Sequence, residues 1–126
     1  MFGLFKKKEV KPLYIHAKDV FSIIKSDYDE GCAFCLVDFL YQGHPYTMGS
    51  SLLPNAEERQ ENIIFVFNEH SYKTFEEFAQ NSVINGVNLS ESSEMIEITR
   101  AGIIDGDAAI SSPWDDTRLE KFAIKE

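Results

Sequence analysis

Long apolar runs, cysteine and tryptophan are all scarce in this chain of 126 residues. No stretch approaches the roughly 18 to 20 consecutive apolar residues that cross a bilayer. The longest, Cys32 to Tyr41, is broken by Asp38 and has the length of a strand, so no membrane span is expected. Two cysteines, Cys32 and Cys35, are too few for the disulfide scaffold of a small secreted domain and fit a reducing compartment. The opening residues Met1 to Lys8 place their apolar side chains before the lysines, the reverse of a secretory leader. Phe2 stands where a myristoylated chain carries glycine. The expected compartment is cytoplasmic.

Positive charge is the other shortage, with 12 Lys and Arg against 21 Asp and Glu, a net charge of -9. The deficit is uneven. Residues 1–25 carry six lysines against Glu9 and Asp19, a local +4, which leaves the remainder at -13. An anionic body is repelled by nucleic acid and by anionic lipid, and attracted to basic proteins. Direct nucleic-acid binding is therefore not expected, and a basic protein partner is. Acidity also serves solubility alone in many proteins.

Apolar material is plentiful: 44% of residues are hydrophobic, including ten Phe and five Tyr, enough for one core in a chain of this length. Residues 1–12 read as a basic N-terminal arm and 13–126 as a single α+β domain. Ala17, Val20, Phe21 and Ile24 follow the helical period, and the polar run Ser26 to Gly31 closes that helix. Cys32 to Tyr41 and Tyr46 to Leu53 read as a hairpin around a turn at Gln42 to Pro45. Pro54 to Asn62 is a polar connection with room for one helical turn. Ile63 to Phe67, apolar on both faces, reads as a central strand. Thr74-Phe75-Glu76-Glu77 has the capping-box spacing, which starts a helix with Phe75, Phe78, Ala79 and Ser82 inward. It should run to about Ile84, with Asn85-Gly86 as its left-handed stop. Met95 to Ile104 alternates like a strand with one wet face and closes at Asp105-Gly106-Asp107. Ser112-Pro113 starts a last helix toward Lys125. The fold expected is α+β: a small, mainly antiparallel sheet of about four strands with helices on one face, in the order α-β-β-β-α-β-α.

Chemistry-bearing patterns are thin. Cys32-Ala33-Phe34-Cys35 has thiol-redox spacing, but the pair opens a strand, where residues three apart face opposite ways. Buried structural thiols are the ordinary reading. His16, His44 and His70 show no metal-ligand spacing. Asp105-Gly106-Asp107 starts like a calcium loop and fails at Ala109 and Ile110. Gly49-Ser50-Ser51 lacks the second glycine of a nucleophile elbow. Neither catalysis, a metal nor a cofactor is expected.

What remains is carboxylate placement. Glu76 and Glu77 open one helix, and Asp105, Asp107, Asp115, Asp116 and Glu120 crowd the last quarter of the chain around Trp114. A tryptophan ringed by carboxylates has the composition of an interface anchor with a charged rim, although Trp114 would equally serve as a core residue. These eight residues are the expected partner-binding set. The function expected is a non-enzymatic acidic binding module, sharpest as an immunity protein that neutralises a basic bacterial nuclease toxin. The alternatives are a small thiol-redox protein using Cys32 and Cys35, or a regulatory interaction module without an inhibitory role.

Overall fold

Alternation starts at Leu13. Leu13 and Ile15 are fully buried while Tyr14 and His16 are not, which is strand periodicity at a position that the sequence reading left unassigned. In a computed structural model that describes residues 12–31, 35–53, 55–57, 59–104, 107–108 and 117–124, this is β1, Leu13–His16. It is followed directly by α1, Ala17–Asp29. Then come β2 (Cys35–Tyr41), β3 (His44–Leu52), β4 (Ile63–Phe67), β5 (His70–Tyr72) and α2 (Phe75–Asn81). A small hairpin, β6 (Val83–Ile84) and β7 (Val87–Asn88), precedes β8 (Met95–Ile104), β9 (Asp107–Ala108) and α3 (Thr117–Phe122).

The class is α+β with an antiparallel sheet, and the sheet is larger than expected. Its strands run β1-β8-β2-β3-β4-β5, and β9 also pairs with β8. β2 pairs with β8 from Glu97 to Ile103, so β1, on Met95 to Ile98, and β9, on Ile103 and Ile104, occupy opposite ends of the other edge. The element order therefore begins with a strand, and five short strands, β1, β5, β6, β7 and β9, join those expected. Ile63 to Phe67 lies between β3 and β5; Ile63, Phe65 and Phe67 are buried, and Ile64 and Val66 are half-buried on the other face.

Two turns show why pattern reading erred. Gln42 and Gly43 both have positive φ, the two-residue hairpin geometry, so His44 and Pro45 already belong to β3. Asn85 and Gly86 repeat that geometry (φ 51° and 82°) between β6 and β7. They turn a hairpin instead of stopping a helix. α2 ends earlier, at Asn81, where Ser82 leaves helical geometry and its hydroxyl donates to the Phe78 carbonyl at 2.6 Å.

One face of the sheet carries the core. Ile15, Ile96, Ile98, Val37, Phe39, Met48, Phe65 and Phe67 line it. Val20, Phe21 and Ile24 of α1, Phe78 of α2 and Leu119 of α3 cover it. β8 keeps its apolar face inward through two bulges, since Val37 pairs with Ala101 and Phe39 with Ile98. The extra residue puts Ala101 inside and leaves Arg100 outside, 3.2 Å from Asp38. Five rings, Phe21, Tyr28, Phe65, Phe75 and Phe78, join α1 and α2 to the sheet, with centroids 5.0–5.9 Å apart.

The N-terminus of α1 is capped by distant backbone. His16 supplies no side-chain cap; the Ala17 and Lys18 amides donate to the carbonyls of Glu94 (2.9 Å) and Ser92 (3.0 Å). The His16 ring lies 2.6 Å from the Ser93 carbonyl, tying the same segment down. At the far edge of the sheet, the Ile124 amide donates to the Tyr14 carbonyl at 2.7 Å, so the residues after α3 cover part of the open side of β1.

Candidate protein-docking surface

Among the described residues, no three His, Cys, Asp or Glu side chains are grouped to hold a metal, and every buried side-chain nitrogen or oxygen has a partner. His16 ends β1, and His44 and His70 are exposed at the starts of β3 and β5. His70 thus belongs to a strand. Cys35 opens β2, and Cys32 lies outside the described residues. No described helix is long and apolar enough to cross a membrane.

Glu76 and Glu77 occupy the first turn of α2, both exposed. The cap predicted from the sequence is present, with one difference: the Thr74 hydroxyl accepts from the Glu77 amide at 3.1 Å and donates to the Glu77 carboxylate at 3.2 Å. The carboxylate thus holds the capping hydroxyl, and the helix's positive end favours both glutamates. Glu120 is half-buried on α3, and Asp107 opens β9. Asp105, Trp114, Asp115 and Asp116 lie outside the described residues.

The described helical acids of this set, Glu76, Glu77 and Glu120, do not form one patch. α3 packs on β1 and α2 on β4 and β5, with α1 touching α3 between them, so Glu120 and the Glu76-Glu77 pair belong to opposite sides of the helical layer.

A second acidic corner escaped the sequence reading. The backbone bonds from Ala17 and Lys18 bring the 91–94 segment against the start of α1, so Asp19, Glu91 and Glu94 share one corner of the molecule. Only the long-range pairing of α1 with 92–94 makes the corner, and no local pattern announces it. Glu94 accepts from the Tyr41 hydroxyl at 2.8 Å. Burial, then this hydrogen bond, push the Tyr41 phenol above the usual tyrosine range.

The pairing of charges is unequal. Lys25 lies against Asp29, Arg59 against Glu57 and Glu61, and Arg100 against Asp38. The exposed carboxylates of Glu69, Glu76, Glu77, Glu91 and Glu94 have no ion-pair partner within 4 Å among the described residues. They outnumber the exposed lysines outside those pairs, Lys18, Lys73 and Lys121. The described surface can therefore attract cationic groups.

Comparison with protein-family models, with curated proteins and with solved structures finds no match.

Proposed function

We propose that this chain is a non-enzymatic, cytoplasmic binding module that recognises a basic protein, in its sharpest form an inhibitor of the immunity type that protects a bacterial cell from a nuclease toxin. The observation that carries the reading is the set of exposed carboxylates with no ion-pair partner among the described residues, Glu69, Glu76, Glu77, Glu91 and Glu94, on a body of net charge -13 over residues 26–126. Nuclease sites hold phosphate with lysine and arginine, so a small acidic protein is steered onto such a site and competes with its substrate.

The purified chain serves as bait for extracts of its source cell and for the products of neighbouring genes, at low and at high salt. The expected outcome is capture of a basic protein, weakened by salt, whose nuclease activity falls with added chain to a one-to-one endpoint. Capture of no basic protein at low salt would refute the proposal.

A further inference from the structure

A groove of about 530 Å³ runs between α1 and α2. Its floor is apolar: Phe21, stacked 5.0 Å from Phe78, with Phe75 and Ala79 of α2. Phe75 is half-exposed, held edge-on to Phe65 at 5.7 Å and to Phe78 at 5.9 Å, so one side of a fixed ring faces the opening.

The α1 wall changes sign along its length, from Lys18 and Lys25 to Asp29 and Glu30. That order opposes the helix dipole. The last turn of α1 has no basic residue, and its negative end is crowded by acid. Glu76, next to Phe75 at the start of α2, acts on Lys25 as a further negative charge. Lys25 faces this end: 2.6 Å from Asp29, it also lies 5.7 Å from the Tyr28 ring centre and 5.9 Å from that of Phe75. Both partners of that pair are about half exposed, 42% and 56%, and such pairs hold weakly. The aromatic corner thus already accommodates one cation, and its surroundings favour another.

We propose that this groove receives an arginine-bearing apolar segment of the basic partner, with an apolar side chain on Phe75 and Ala79 and the guanidinium at the Asp29 and Glu76 end. The inference rests on the basic-partner reading above and names where on the chain that partner docks. Charge complementarity selects the occupant: a carboxylate placed at that end would meet Asp29, Glu30, Glu76 and the helix's own negative pole.

The probe is the capped dipeptide acetyl-Phe-Arg-amide, titrated at millimolar concentration into the isotope-labelled full chain, with acetyl-Phe-Glu-amide beside it. Amide shifts are expected at Ser22, Ser26, Asp29, Phe75 and Ala79 with the arginine peptide only. The double variant Asp29→Lys, Glu76→Lys should bind it about tenfold more weakly, the effect of two exposed charge pairs. Asp29→Lys suits the helix dipole, and an unchanged spectrum away from the groove reports that the variant is folded.

Equal shifts with both peptides, no saturable shift, or shifts confined to the Asp19, Glu91 and Glu94 corner would each overturn the groove assignment. Salt-sensitive capture of a basic protein that survives the double variant would also overturn it while leaving the basic-partner reading intact. Capture of no basic protein would instead remove that reading, whatever the dipeptides do.

Discussion

Replacing Phe78 by alanine should cost about 4 kcal/mol of folding stability. Phe78 is 0% exposed, stacks on Phe21 at 5.0 Å and on Phe65 at 5.6 Å, and meets Phe75 edge-on at 5.9 Å. Loss of its buried apolar area accounts for roughly 2–3 kcal/mol. The ring contacts add about 0.5–1.5 kcal/mol beyond area, and the cavity brings the total into the range of about 3–5 kcal/mol seen for buried phenylalanines. α2 has only seven residues, too few to hold a helix alone, so its docking depends on this one fully buried side chain. The assay is urea unfolding followed by far-ultraviolet circular dichroism. At about 2 kcal/mol per molar urea, the Phe78→Ala midpoint should fall by about 2 M with an unchanged slope. Phe78→Leu, which keeps most of the volume, should lose only about 1–1.5 kcal/mol. A Phe78→Ala loss below about 1 kcal/mol would mean that α2 is not anchored through this ring, a direct contradiction of the packing described.

Thr74→Ala should cost about 1 kcal/mol while Thr74→Ser costs little, because the hydroxyl caps the Glu77 amide; urea midpoints compare the two. Gly86→Ala should cost about 1 kcal/mol and lower the melting temperature by a few degrees, because φ is 82° although a Cβ there would meet nothing within 4 Å. Tyr41 carries the alkaline prediction. Its phenol is raised in the fold, so its contribution is full below the unfolded value of about 10 and is lost as pH rises from there through the folded value. Tyr41→Phe should therefore be about 1 kcal/mol less stable than wild type near neutrality. The gap should narrow in midpoints taken above about pH 10, and a constant gap would refute the assignment.

The parts of the fold legible in the sequence are those where local chemistry and tertiary placement agree. Val20, Phe21 and Ile24 announce α1 by their period, and Thr74 with Glu77 announces the start of α2. The short strands were missed for different reasons. β1 has the alternation Leu13, Tyr14, Ile15, His16, but four residues are too few to outweigh the helix that follows without a break. Asn85-Gly86 satisfies a helix stop and a hairpin turn alike, since both need left-handed residues. The two-residue strands around it are shorter than any periodic signal. The bulges in β8 shift Arg100 outward in a way that simple alternation does not foresee.

Of the surface acids, Glu76 and Glu77 were legible because a cap fixes them at an exposed helix start. The Asp19, Glu91 and Glu94 corner was not, because it exists only once α1 has borrowed the carbonyls of Ser92 and Glu94. The same is true of the groove, which needs Phe75 and Asp29 from separate helices.

The most direct test of the central claim is the association rate of the captured basic partner with the wild-type chain and with Glu76→Lys, Glu77→Lys, measured across ionic strength. Electrostatic recognition predicts a wild-type rate that falls steeply with salt and a variant rate that is lower and flatter, the two converging once charges are screened over a few ångströms. A rate independent of salt and unchanged by the reversal would contradict the account, leaving the acidity of this chain a matter of solubility and not of recognition.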